Sequence, residues 1–357
     1  MMQKKDTKKP RLEKLEALRG FAALYVVFFH ILPQKIYLLG INVGMLFRFG
    51  PEAVIVFFVL SGFVIKYTYE KSKDKSFKHY FIRRFIRLYI PLLFIFLLGY
   101  LLKCYSEGTL AYPEWFTLLG NLFMLQDVIS QKPHVISPAY MGNGVLWSLS
   151  YEWWFYMLFF LLANKIDKEK LNKWVSIITI TAAVTYVIYP FHVNRLAMYF
   201  AIWWIGVRFA ETYLAGGKFT IRGIMPYAYV LFAITAILAA NLALHFSYTK
   251  TYTFPLVAYP FIELRHFVFA IMVMFGAVIW QNLHWRGYNL IFGVFKYLAP
   301  CSYVIYISHA YLVVGATYLS FVGNKVVEYG LYVVILIIFS YILEVVVYNR
   351  IRKLLIG

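Results

Sequence analysis

The sequence predicts an all-α fold, a polytopic membrane bundle of about ten transmembrane helices with both termini cytoplasmic. Three observations predict it. The 357 residues are 62% hydrophobic and 20% aromatic, with a mean hydropathy of +0.67, an apolar share far above that of a soluble domain. Apolar runs long enough to cross ~30 Å of hydrocarbon recur along the chain. Lysine and arginine gather in alternate connections between those runs, which is the charge pattern that orients membrane helices.

The runs extend over about 15–33, 52–69, 86–102, 146–164, 175–190, 196–213, 226–245, 264–282, 298–322 and 330–348. Alternate connections, starting with the one before the first run, hold 26 basic residues against 8 in the others, so the sides with more are assigned to the cytoplasm. A basic segment over 1–14 leads directly into a full-length span. That arrangement lacks the short apolar core and small-residue cleavage site of a signal peptide. A single transmembrane domain is expected over 15–349, and a cytoplasmic tail over 350–357. The net charge of +19 raises nucleic acid as a partner, but the charges follow the membrane topology and no nucleic-acid partner is expected. Cys104 and Cys301 fall near opposite faces, so no disulfide is expected between them.

The outer loop over 103–145 is too long for a simple connector. Within it, PEWFTLLGNLFMLQDV at 113–128 is apolar but shorter than a span. It suits an interfacial or re-entrant helix roofing an outward-facing cavity, or an amphipathic helix packed on the protein. No internal repeat stands out, which weighs against inverted-repeat transporters.

The first span carries Glu16, Arg19 and His30, and ionisable groups in hydrocarbon are costly enough to mark working sites. Eleven residues make close to three turns, so Arg19 and His30 share a face, roughly 16 Å apart along the axis, with Glu16 within about 40° of His30. The competing reading has Arg19 snorkelling to headgroups and His30 bonded to a neighbouring helix. Arg83, Arg84 and Arg87 cluster at the cytoplasmic end of the third span. Guanidinium groups there suit phosphate, although positive-inside anchoring explains part of the density.

Glu152 lies about two turns into the fourth span, one turn beyond Ser148 on the same face and at a depth similar to His30. A carboxylate beside that imidazole would fix its tautomer and raise its basicity. The alternative is a hydrogen-bonded packing group. In the ninth span Ser302, Tyr306 and His309 share a face, with His309 near mid-membrane, where an interhelical hydrogen bond competes with catalysis. Ser61 and Gly62 in the second span favour close helix approach. No metal-binding pattern, Gly-rich phosphate loop or nucleophile elbow is evident, and no metal is expected.

Five stretches, LEALRGFAALYVVFFH, FFVLSGFVI, RRFIRLYIP, LWSLSYEWWFY and CSYVIYISHAYL, in this order and spacing, resemble the acyltransferase-3 family of integral-membrane acyltransferases over about 15–312. The resemblance implies an O-acyltransferase of the bacterial cytoplasmic (inner) membrane. Its co-substrate would be cytoplasmic acyl-CoA, most simply acetyl-CoA, with no bound cofactor, and its acceptor an envelope glycan or lipid-linked saccharide. Carried over by motif, Arg19 and His30 become the paired basic residues of the first helix. Arg84 and Arg87, with Arg83 beside them, become the acyl-CoA-binding arginines, and Glu152 the acidic residue of the fourth span. Glu16 stands where many relatives have aspartate, and the periplasmic SGNH hydrolase-like domain of many relatives is not seen, which favours direct transfer.

The expected catalytic pair is therefore His30 with Glu152. Glu16, Ser61, Ser148, Tyr306 and His309 are expected on the supporting or acceptor side. Acyl-CoA would dock on the arginines and thread past Arg19 along a conduit to His30. The alternative is an exporter or flippase of a polysaccharide or lipid-linked sugar, with the polar stripe lining its path.

Overall fold

The computed structural model describes residues 12–33, 35–249 and 256–356. Most of the 1–14 segment, with Lys4, Lys5, Lys8, Lys9 and Arg11 of the charge count, lies outside the described residues, as does Lys250. The rest folds into a helical bundle: α1 (Glu13–Ile31), α2 (Gly50–Lys71), α3 (Phe77–Glu107), α4 (Trp115–Leu122), α5 (Trp147–Lys165), α6 (Lys168–Ile188), α7 (His192–Leu214), α8 (Ile221–Thr249), α9 (Phe261–Asn282), α10 (Tyr288–Ile291), α11 (Ser302–Leu312), α12 (Lys325–Tyr341) and α13 (Tyr348–Ile356). A π-helical stretch, Ile342–Val347, joins the last two into one continuous rod.

Among the described residues, seven helices are long and apolar enough to cross a membrane: α2, α3, α5, α6, α8, α9 and the α12–α13 rod. Of the three further expected spans, α1 and α7 form as continuous helices of 19 and 23 residues that carry charges among their apolar positions. The third does not form as read. Residues 298–322 hold only the 11-residue α11, flanked by short 3-10 turns at Ala299–Cys301 and Ser320–Val322. Eleven residues rise only about 16 Å, half the hydrocarbon thickness. Apolar character alone did not separate a broken helix from a continuous one. Ser302 to His309 of α11 are buried apart from the half-buried Tyr303, which is where interrupted helices are tolerated at membrane depth.

Helix α7 is the axis of the bundle. Every residue from Met198 to Val207 is buried, as expected of a helix that is apolar all round and enclosed by others. Helix α2 crosses it at a point where two glycines meet. A Cβ on Gly62 would lie 2.1 Å from the Trp203 carbonyl oxygen, and one on Gly206 would lie 1.9 Å from that of Val59. Only hydrogen at both positions permits this approach, the small-residue packing that holds membrane helices together.

The 103–145 loop does contain a short helix, α4, with an inverted pattern. Thr117 and Asn121 are buried while Trp115, Phe116 and Leu119 face outward. Asn121 ties the helix down by donating to the Thr117 and Pro138 carbonyls and accepting from the Tyr140 amide. An outward apolar face anchored by inward polar bonds suits a membrane interface. Between α1 and α2 lies an unanticipated two-stranded hairpin, β1 (Tyr37–Leu38) and β2 (Ile41–Asn42), turned by Leu39 and Gly40 at φ 50° and 78°, the pair of positive values that tight hairpins require.

Candidate active site

Helix α1 places Arg19 toward one end of the bundle and His30 at the other. At the Arg19 end, its guanidinium donates from Nε to Ser302 Oγ (3.0 Å) and from Nη2 to the Ala299 carbonyl (2.8 Å), pinning α1 to the start of α11. Arg87 of α3 pairs with Glu344 and lies over the rings of Tyr303 and Tyr348, 5.4 Å from each centroid. The other Glu344 oxygen accepts the Val304 amide at 2.8 Å. Glu344 sits in the π-helical stretch, whose widened turn is a recurrent feature of functional sites. Arg84 donates to Thr68 Oγ1 (2.8 Å) and lies over Tyr80 and Tyr156, with its Nε buried and unpartnered.

Arg83 does not join them. It is exposed, whereas Arg84 and Arg87 turn inward to their partners. Glu16 is half-buried on the first turns of α1. Beside it, a cleft of about 500 Å³ is lined by Lys14, Tyr288, Lys296 and Tyr297 among others. Neither lysine was singled out from the sequence, because each read as one more positive charge.

One layer further along, Glu152 accepts from Ser61 Oγ at 2.6 Å and from the Tyr156 hydroxyl. Ser61 in turn accepts from Trp203 Nε1 at 3.2 Å. The expected pairing of Glu152 with His30 is not formed. Ser148, one turn earlier on α5, meets the Tyr306 hydroxyl at 2.9 Å, and that hydroxyl also contacts the Val145 carbonyl at 2.8 Å. Glu152 therefore lies about 6 Å deeper along α5 than the Ser148 and Tyr306 layer, turned toward Ser61 of α2.

His30 has a different neighbour. Its ring lies 5.2 Å from that of His309, centroid to centroid. His309 Nδ1 is 2.6 Å from the Tyr306 carbonyl. A carbonyl only accepts, so Nδ1 carries the proton and Nε2 holds a free lone pair. That Nε2 is buried with no hydrogen-bond partner.

His30 opens on a cavity of about 430 Å³, lined also by Val26, Lys132, Trp147, His266 and Tyr306. The lining stops at the layer of Val26 and Tyr306, and none of the arginines contributes to it. This cavity therefore does not by itself reach the arginine end of the expected conduit.

Lys132 brings to this cavity one member of a buried ionic cluster that sequence reasoning missed. Asp127 pairs with Lys132 Nζ at 2.9 Å and Arg195 Nη2 at 3.1 Å, accepts the Tyr151 hydroxyl at 2.7 Å, and lies 3.6 Å from His192 Nδ1. Burial alone would raise the Asp127 carboxyl, but Lys132, His192 and Arg195 outweigh it and hold the group far below the usual range. Lys132 and Arg195 counted as loop charges in the sequence, yet both are buried. The one local signal for Lys132 was a carboxylate five residues before it, Asp127, just past the apolar stretch 115–125.

Two polar regions, one rich in arginine and one centred on histidine, are thus joined by one helix. The acyltransferase-3 family, an acyltransferase domain, matches residues 12–347. Acyltransferase MdmB of Streptomyces mycarofaciens is 35% identical over 182 residues, which cover 49% of this chain and 45% of that protein. The chain therefore spans about half the length of the curated relative it matches. No solved structure matches. With the family match running from residue 12 to residue 347, through all five of the stretches that carry the resemblance, the chain belongs to the acyltransferase-3 family.

Proposed function

We propose that the protein transfers an acyl group, most simply acetyl, from cytoplasmic acyl-CoA to a hydroxyl of an envelope saccharide on the outer side of the bacterial inner membrane. The observation that carries this reading is the single helix α1, with Arg19 among the inner arginines and His30 at the outer cavity. Acyl-CoA approaches the inner end, where Arg84, Arg87, Lys14 and Lys296 offer cations to its phosphates. Its phosphates compete with Glu344 for Arg87. The acyl-pantetheine arm passes when the Tyr306 layer opens away from Ser148 and Val145.

At the outer end His30 serves in one of two routes. In the direct route the acceptor hydroxyl gives its proton to a His30 ring nitrogen as its oxygen bonds to the thioester carbonyl carbon. The tetrahedral intermediate then collapses with cleavage of the C–S bond, and the CoA thiolate takes the proton from His30. In the relay route the His30 nitrogen bonds to the thioester carbonyl carbon, the C–S bond breaks and CoA leaves as its thiol with the ring's N–H proton; the acceptor hydroxyl oxygen then bonds to the acyl carbon, the C–N bond breaks and its proton passes to the imidazole. In both, His309 rather than Glu152 is the neighbour that orients His30, while Glu152 braces α2 against α5.

Mass spectrometry of envelope glycans from cells with and without this protein tests the reading. Loss of O-acyl groups from one glycan on deletion, restored by the intact chain and not by a His30→Ala variant, is the expected result. Identical glycan acylation in both cells would overturn it.

A further inference from the structure

The cavity at His30 carries unspent hydrogen-bonding capacity on the wall facing α1. Lys132 is only 4% exposed although it is a lysine, and a buried ammonium is retained only where its protons are placed. One N–H goes to Asp127 and a second faces the π-cloud of Trp147, whose ring centre lies 3.6 Å from Nζ. A third has only the more distant Tyr151 ring, 5.0 Å from Nζ, and no oxygen acceptor. His266, at 0% exposure, holds Tyr199 through Nδ1 at 2.7 Å, and its Nε2 is buried without a partner. The imidazole lies parallel to Trp147, planes 4° apart and centroids 6.1 Å apart. Lys132, Trp147 and His266 all line the same cavity as His30, together with Gln131.

Among the described residues this cavity has no carboxylate in its wall. Its volume of about 430 Å³ falls in the usual range of small-molecule sites, ~300–1,000 Å³. A wall of cation, indole, amide and imidazole, with no anion, selects a ligand that presents oxygen acceptors and repels one that presents a protonated amine.

We propose that Lys132 and His266, with Trp147 between them, form the acceptor subsite of the transferase and hold an uncharged or acidic saccharide ring by its oxygen atoms so that a neighbouring hydroxyl faces His30. This rests on the acyl-transfer reading above. Asp127 is a positioning residue in this scheme: it fixes the Lys132 ammonium over Trp147 and, through Tyr151 and Arg195, ties the 123–143 loop to α5 and α7. An acceptor site, unlike a donor site, should leave the use of acyl-CoA alone.

The test uses detergent-solubilised full-length protein, radiolabelled acetyl-CoA, and mildly de-O-acetylated envelope polysaccharide from the producing cells as acceptor. Two variants are compared with the wild type: Lys132→Met, which removes the ammonium, and His266→Asn, which keeps an atom for Tyr199 and deletes the Nε2 position. The expected result is an acceptor KM raised about tenfold or more, as for loss of a buried charged or polar contact, with the acetyl-CoA KM within about twofold of the wild type. If Lys132→Met is not recovered as folded protein, His266→Asn alone decides. Wild-type acceptor KM in the folded variants, or a parallel rise in both KM values, overturns the subsite while leaving transfer at His30 intact. Absence of label on the polysaccharide with wild-type protein overturns the saccharide reading itself, and the subsite with it.

Discussion

The imidazole rings of His30 and His309 lie 5.2 Å apart, their planes inclined by 38°. One comes from the C-terminal end of α1, the other from the short helix α11, and the Tyr306 carbonyl fixes the tautomer of the second. A histidine whose free lone pair faces no protein partner is a suitable neighbour for the proton carrier that we propose His30 to be.

His309→Asn retains an N–H for the Tyr306 carbonyl but removes Nε2, and it is expected to lower the transfer rate about five- to tenfold, the worth of the one hydrogen bond of ~1–1.5 kcal/mol that the unpartnered Nε2 is placed to make during the reaction. Initial rates with saturating acetyl-CoA check this. A rate equal to the wild type would mean that His30 works without its neighbour.

Glu152 is held by Ser61 and Tyr156 rather than by His30. Glu152→Gln keeps an acceptor oxygen and is expected to lose far less activity than His30→Ala. Glu152→Ala strands two hydroxyl donors and is expected to cost ~1–3 kcal/mol of stability. Side-by-side rates and thermal unfolding in detergent separate the two effects; equal inactivation of Glu152→Gln and His30→Ala would restore a direct pairing.

The α2–α7 crossing predicts a sharp difference between glycines. Gly206→Val drives a side chain into the Val59 carbonyl, 1.9 Å from the new Cβ, and is expected to abolish recovery of monodisperse protein. Gly276→Ala on α9, with nothing within 4 Å of its Cβ, is expected to be tolerated and to gain up to ~1 kcal/mol from helix propensity. Size-exclusion profiles of the two variants give the comparison.

Asp127 neutralises a buried lysine and arginine, so Asp127→Asn is expected to destabilise the protein by ~3–5 kcal/mol. Its carboxyl titrates below the unfolded value. The stability it contributes is therefore complete above the unfolded pKa of ~3.9 and is lost only as pH falls below that toward the folded value. Thermal unfolding at pH 7 and pH 5 should show the same gap between variant and wild type; a gap that closes by pH 5 would contradict this protonation state.

The helical bundle and the polar face of α1 were legible in the sequence because each rests on local periodicity. Arg19 and His30 share a helix, so their spacing alone fixes their relation. Glu152 and His30 sit on different helices, and equal depth along two helices does not fix rotation about them; the carboxylate turned to Ser61. The cluster of Asp127, Lys132, His192 and Arg195 was invisible for a related reason. Its members are up to 68 residues apart in the chain and, taken singly, resemble loop charges. Breakage of the 298–322 run was hidden because an apolar segment folded back within the protein has the composition of one that crosses the membrane.

Transfer through the α1 histidine is tested most directly by incubating inverted membrane vesicles with radiolabelled acetyl-CoA and measuring label in the glycan fraction. Wild-type vesicles should label it, and vesicles holding equal amounts of folded His30→Ala protein should fall by about 10²- to 10⁴-fold, the usual worth of a general base. Labelling by His30→Ala at close to the wild-type rate would contradict both the direct and the relay route.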